Sequence, residues 1–241
     1  MILTIYLIIL TYFILGGIIF YYIYRNKEPE IAKKNRAKFI SYFVIIHILF
    51  FSIVINPIVF HYLVLLIVII GWAEVINLFR QSGFKRKRFF GLSVPVFLII
   101  SGGLICFSRT ESNLILFTFM VVSIFDAFSQ ISGQLFGKHK LFPAISPGKT
   151  IEGLIGGAVI AVASAFLLRG LVADHRLNIF LLGSGIVIAA FIGDALTSLY
   201  KRKYEVKDFS NLIPGHGGFL DRFDGLAGGA TFITLLDFFG I

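Results

Sequence analysis

The chain has 241 residues, of which 57% are hydrophobic and only 15% charged, with a mean hydropathy of +0.90. A water-soluble domain of this size has too little core to hide that much apolar surface, so composition excludes a soluble enzyme and a soluble nucleic-acid-binding module. The net charge of +9 must then be displayed at a membrane face, and the single cysteine, Cys106, excludes an intramolecular disulfide.

Apolar runs of about 20 residues, the length a helix needs to cross hydrocarbon, recur from one end of the chain to the other. The first covers residues 2–24. No Lys or Arg precedes it, so it reads as a retained anchor rather than a cleaved leader. Further runs cover 38–55, 57–79, 89–108, 113–136, 151–171, 178–199 and 222–240. The expected fold class is therefore all-α, a polytopic transmembrane helix bundle of about eight spans, with no soluble domain, long linker or internal repeat.

The loops between these runs alternate in charge. The first holds six Lys and Arg (Arg25, Lys27, Lys33, Lys34, Arg36, Lys38) and the third holds five (Arg80, Lys85, Arg86, Lys87, Arg88). The fifth holds three (Lys138, Lys140, Lys149) and the seventh five (Lys201, Arg202, Lys203, Lys207, Arg222). Only Arg109, Arg169 and Arg176 fall in the even loops. The positive-inside rule places the odd loops in the cytoplasm and both termini outside. Attraction to anionic lipid accounts for the first and third loops without further function.

Acids inside a membrane are costly and so informative. Glu74, Asp126, Glu152, Asp194, Asp221 and Asp224 all lie toward the odd-loop ends of their spans. The other end has only Glu111, Asp174 and Asp237. This asymmetry predicts a polar cavity open to the cytoplasm, although Glu74 and Asp126 taken singly also suit interhelical hydrogen bonding.

The seventh loop is the densest segment. Asp194, Ser198 and Lys201 recur at i, i+4 and i+7, placing carboxylate, hydroxyl and ammonium on one helix face. Pro214-Gly215-His216-Gly217-Gly218 then leads into a helix that carries Asp221 and Asp224 at i, i+3. Glycine amides and a helix N-terminus favour anions. Carboxylates from two helices beside a cation cluster suit Mg²⁺ with phosphates, because magnesium takes a few carboxylates and fills its remaining positions with water and substrate oxygens. Each piece alone has an ordinary structural reading: a glycine turn before a helix, or a basic pair marking topology.

Together the pieces resemble the signature of the phosphatidate cytidylyltransferase family. That signature runs Ser-x-x-Lys-Arg, four residues, Lys-Asp, then Pro-Gly-His-Gly-Gly-x-x-Asp-Arg-x-Asp. Every fixed position is present, from Ser198, Lys201, Arg202, Lys207 and Asp208 through Asp221, Arg222 and Asp224. Ser146-Pro147-Gly148-Lys149-Thr150 with Glu152-Gly153 is similar to a second loop of the family, and Trp72-Ala73-Glu74 is a fainter likeness. Gly148-Lys149-Thr150 is not a nucleotide P-loop, because its first glycine would be Pro143 and no strand is predicted before it. The resemblance covers residues 71–241 as the catalytic region, whereas residues 1–70 form transmembrane helices without diagnostic features. One departure is Gln130, four residues after Asp126, where many family members carry Tyr.

What the resemblance implies is transfer of the cytidylyl group of CTP to phosphatidic acid, giving CDP-diacylglycerol and pyrophosphate. Asp194, Asp221 and Asp224 would hold Mg²⁺, with room for a second cation. Lys201, Arg202, Lys207, His216 and Arg222 would carry the phosphate chemistry. Asp126, Ser146, Lys149, Ser198, Gly217 and Gly218 would bind substrate. The implied setting is a bacterial-type inner membrane with the lipid in the cytoplasmic leaflet, no nucleic acid, and a homodimer as an open question. A CTP-dependent polyprenol or phytol kinase and a transporter using intramembrane carboxylates are the alternatives.

Overall fold

A computed structural model describes residues 2–25, 28–173, 175, 177–210, 212–213 and 217–240. Lys27, Asp174, Arg176, Pro214, Gly215 and His216, all used in the sequence reading, lie outside the described residues, as does the side chain of Lys34. Eight α-helices are present among the described residues: α1 (Ile2–Tyr24), α2 (Pro29–Ile55), α3 (Pro57–Gln81), α4 (Lys87–Phe107), α5 (Ser112–Phe136), α6 (Ile151–Leu167), α7 (Ile179–Lys203) and α8 (Leu220–Phe239). They fall on the eight apolar runs and form an all-α polytopic membrane bundle.

The ends differ from the hydropathy reading for identifiable reasons. α2 begins at Pro29 rather than near residue 38, because Pro suits the first helical position and Glu30 to Lys38 is rich in good helix formers. α7 likewise runs on through Lys201, Arg202 and Lys203, cations that favour a helix C-terminus. α6 stops at Leu167 and continues as one 3₁₀ turn, Arg169–Leu171. Six helices, α1 to α5 and α7, have the length and composition to cross a membrane. α6 has 17 residues, roughly 25 Å against a core of about 30 Å. α8 carries Asp221, Arg222, Asp224 and Asp237.

The fifth loop holds an element that the sequence reading did not anticipate. β1 (Lys140–Phe142) pairs antiparallel with β2 (Ser146–Thr150), Lys140 opposite Thr150 and Phe142 opposite Ser146. Pro147 and Gly148 depress strand propensity, so only tertiary contacts make this hairpin.

α5 is the central helix. All eight residues from Ile115 to Val122 are buried, as expected of a helix that is apolar all round. Two very close helix contacts organise the rest. In the first, Gly153, Gly156 and Gly157 of α6 face Ser129, Ser132 and Gly133 of α5, and a methyl group at Gly157 would stand 2.0 Å from Ser129 Oγ. In the second, Gly193 of α7 faces Gly228 of α8, and a Cβ on Gly193 would come within 2.4 Å of the Asp224 carbonyl oxygen. Small residues let membrane helices approach backbone to backbone, where dispersion rather than hydrophobicity provides the attraction.

The basic loops gather at one end. Arg86 in the third loop pairs with Glu205 in the seventh at 3.3 Å, and Arg202 Nε donates to the Ile145 carbonyl of the fifth at 2.9 Å. With the termini outside, as the basic asymmetry implies, a cysteine at Asn35 in a Cys106→Ser background should react only with membrane-permeant reagents. One at Asn113 should react from outside in intact cells, and the reverse pattern would invert the topology.

Candidate active site

A cavity of about 610 Å³ opens within the bundle at the basic-loop end. Asp194, Ser198 and Lys201 of α7 all line it, so the helical spacing read from the sequence does place them on one face. From α8 come Asp221, Arg222 and Asp224, from α5 Asp126, from β2 Ser146 and Lys149, and from the seventh loop Lys207 and Asp208. The apolar part of the wall comes from α1 and α2, through Tyr12, Phe13, Phe20, Phe39, Tyr42 and Ile46.

The acids are held by specific partners. Asp194 Oδ2 lies 2.6 Å from Lys149 Nζ, and its Oδ1 accepts from Ser198 Oγ at 3.2 Å. Lys149 reaches there from the hairpin, its ammonium 4.9 Å from the Phe191 ring centroid. Asp221 pairs with the buried Lys201 through Oδ1. Its Oδ2 accepts the backbone N–H groups of Phe209 at 3.0 Å and Gly218 at 2.9 Å. Asp224 accepts from Thr197 Oγ1 at 2.7 Å and from its neighbour's amide, Gly225 N, at 2.8 Å. Asp126 stays accessible because its carboxylate borders the cavity, and it lies against α8 where Gly225 leaves room. A Cβ there would sit 3.4 Å from Asp126 Oδ2.

These contacts separate residues that border the cavity from residues that shape it. The amides of Gly217 and Gly218, expected to face a phosphate, are already used. Gly217 N donates to the Ile213 carbonyl at 3.2 Å, and Gly218 N goes to Asp221. Gly217 has φ +89°, and a Cβ there would stand 2.7 Å from Asp208 Cβ, so glycine is required for the turn itself. The first amides of α8 are occupied as well, by Glu74 of α3, so this helix N-terminus does not offer the anion site that the sequence suggested. The glycine amides are taken by local partners, the Ile213 carbonyl and Asp221, and the amides at the start of α8 by a carboxylate brought in from α3. Arg202 borders the cavity but spends its guanidinium on two carbonyls, Ile145 O at 2.9 Å and Val206 O at 2.7 Å, tying hairpin to loop. Glu152 binds the fifth loop together, accepting from His139 Nδ1 at 2.6 Å and from Lys138 N at 3.0 Å.

His216 lies outside the described residues. Two contributors were missed or given no role. Asp208 borders the cavity, and its place inside the dense polar segment was the available signal. The aromatic residues of α1 and α2 are not legible as cavity lining in the sequence, because an aromatic side chain in a membrane span carries no mark of facing a cavity rather than lipid.

Magnesium fits this donor set by chemistry. Asp194, Asp221 and Asp224 present hard oxygens around one cavity, and two of them already hold an ammonium group. Among the described residues no three acidic, His or Cys side chains form a ready cage.

The description of the family whose model matches residues 89–239 is Cytidylyltransferase family. The chain is 42% identical over 132 residues to a phosphatidate cytidylyltransferase of Haemophilus influenzae, covering 52% of this chain and 46% of that protein. It is 44% identical over 128 residues to the protein of that name from Staphylococcus haemolyticus, and 41% identical over 128 residues to that of Staphylococcus aureus, with 51% of this chain and 49% of the relative covered in each. The chain thus spans about half the length of the curated relatives it matches.

Proposed function

The chain belongs to the cytidylyltransferase family, and from that premise we propose that it transfers the cytidylyl group of CTP to phosphatidic acid, releasing pyrophosphate. One observation carries this reading. A single cavity joins an aromatic and aliphatic wall to five carboxylates and six basic side chains among its lining residues. Such a space suits a lipid phosphate meeting a nucleoside triphosphate: acyl chains lie along α1 and α2, and both phosphate groups lie at the polar end.

In the proposed reaction a phosphate oxygen of phosphatidic acid attacks the α-phosphorus of CTP in line. The bond from that phosphorus to the bridging oxygen breaks, and pyrophosphate departs with its electrons. A lipid phosphate is already ionised at neutral pH, so no general base is needed. Two polyanions must approach, and most of the barrier is charge and positioning. Lys149, Lys201, Lys207 and Arg222 converge on the cavity from the hairpin, α7, the seventh loop and α8. They neutralise phosphate oxygens on both substrates and on the leaving group. Asp194 and Asp221, with Asp224 as a further ligand, are the residues that would hold magnesium, which would supply additional neutralisation of phosphate charge. Arg202 and Asp221 also hold the loops that carry these cations. The polar end faces the cytoplasm, where CTP is found, and the lipid reaches it from the cytoplasmic leaflet of a bacterial-type inner membrane.

The reaction is tested by the position of the label. Purified protein with phosphatidic acid, Mg²⁺ and α-labelled CTP should transfer label into lipid, and γ-label should appear in free pyrophosphate. Added pyrophosphate should reverse the transfer, since one phosphoanhydride replaces another. Lipid carrying γ-label would establish a CTP-dependent kinase instead. No transfer from either position would leave the carboxylates to a transport role.

A further inference from the structure

Glu74 is among the least exposed charged groups in the chain, at 4%. It sits in α3, outside the polar segment that carries the proposed chemistry. Its two oxygens nevertheless organise that segment. Oε1 accepts from Phe219 N at 2.8 Å and from Ser210 Oγ at 2.5 Å, and Oε2 accepts from Leu220 N at 2.7 Å. The helix these amides begin, α8, has no cap of its own: its N-cap residue is Phe219, which makes no side-chain capping bond. A helix start buried without partners would leave amide donors unsatisfied. Here the cap is supplied in trans, by a carboxylate from a helix some 145 positions earlier in sequence.

The fit around this cap is tight. A Cβ on Gly218 would stand 2.8 Å from Asp221 Oδ2 and 3.0 Å from Glu74 Oε1, so glycine is what lets the two acids grip the turn together. One helical turn before Glu74, a Cβ on Gly71 would lie 3.2 Å from Leu220 Cδ1, and α3 and α8 meet closely there. Asp221 is the second residue of α8 and Asp224 the fifth. Wherever Glu74 fixes the first turn, it fixes the rotation and height of these two carboxylates and of Arg222 between them. A buried acid in a membrane helix is costly unless fully bonded, and this one has three donors.

We infer that Glu74 is a positioning residue for the cytidylyl-transfer site: it caps α8 from α3 and thereby sets where Asp221, Arg222 and Asp224 stand. This rests on the function proposed above. Glu74→Gln keeps the size and one acceptor oxygen but turns an NH₂ group toward a backbone N–H. The expected result has two parts. Hydrogen exchange at the Phe219 and Leu220 amides, followed by mass spectrometry in detergent, should quicken by about tenfold or more. Per folded molecule, kcat for α-label transfer should fall by about tenfold or more while KM for CTP changes far less. Should Glu74→Gln fail to fold, Glu74→Asp retains the charge one methylene short of its donors and should show the same pair of changes. Unchanged exchange at Phe219 and Leu220 would overturn the inference. So would a loss confined to the folded fraction, with kcat per folded molecule intact, because that is a purely structural part. A wild-type chain that moves no label from CTP sinks the proposed reaction, and with it the link from Glu74 to catalysis. The exchange measurement then separately decides whether the cap exists.

Discussion

Asp194→Asn should lower cytidylyl transfer by at least about 10²-fold and leave the folded protein intact, whereas Asp221→Asn should cost both activity and stability. The two acids are set differently. Asp194 is one-third exposed, with its side chain at 34%, and its partner Lys149 at 23% can turn toward the cavity when the charge is lost. An Asn there still accepts from Ser198. What disappears is an oxygen charge placed for Mg²⁺ and for Lys149. Asp221 has a side-chain exposure of 2% against 10% for Lys201, so the pair is closed off. Its Asn variant keeps an acceptor for the amides of Phe209 and Gly218 but points an NH₂ group at a buried ammonium. Removing one partner of a buried pair costs roughly 3–5 kcal/mol, because the remaining charge has nothing to answer it. Thermal unfolding in detergent, measured beside label transfer, separates the cases. Asp237→Asn at the far end of α8 serves as control and should change neither. Near-normal turnover in Asp194→Asn at saturating Mg²⁺ would remove that residue from the metal site.

The second large effect is expected where α7 and α8 touch. Gly228→Val should lower the unfolding temperature and reduce transfer by more than tenfold, an effect that surface substitutions do not reach. A Cβ on Gly228 would stand 2.2 Å from the Ala189 carbonyl oxygen and 3.2 Å from Gly193 Cα. Both are backbone atoms and cannot swing aside, so the helices must part. Overpacking of this kind costs about 1–3 kcal/mol and sometimes more. Asp194 follows Gly193 directly, and Asp224 is one turn before Gly228, so the separation appears at once between carboxylates of the site. Gly91→Ala and Gly102→Ala form the comparison. Both sit in α4 with nothing within 4 Å of the added methyl, and alanine there should not destabilise. Equal behaviour of Gly228→Val and the α4 variants would show that the glycine contact does not position the site.

Much of this molecule is legible one segment at a time. Crossing hydrocarbon is a local requirement: each run must satisfy its own backbone and present apolar side chains for about 20 residues. That is why α1 to α8 fall on the eight apolar runs, six of them long and apolar enough to cross, and why the basic loops collect at one end. The face carrying Asp194, Ser198 and Lys201 follows from helix geometry alone. The polar segment also carries enough fixed positions to indicate the family before any coordinate is known.

The long-range partners of those residues could not be read the same way, because local geometry does not bring them together. Glu74 stood in the sequence as an acid near a span end, equally suited to a site or to interhelical bonding. Only the packing of α3 on α8 makes it a cap. The same packing explains why the amides of Phe219 and Leu220 are filled rather than open to an anion, while that of Gly218 is taken locally by Asp221. Arg202 looked like a phosphate ligand until the hairpin carbonyl of Ile145 came within 2.9 Å. The hairpin has no propensity signal, and the aromatic wall of α1 and α2 has no polarity signal. The apolar helices, the charged end and the helix face carrying Asp194, Ser198 and Lys201 follow from the sequence alone, since these depend on short-range geometry and on the cost of burying polarity in lipid. The tertiary structure decided which of those groups border the cavity and which are consumed in holding it, because a hydrogen bond is a matter of a few tenths of an ångström between atoms that only folding brings together.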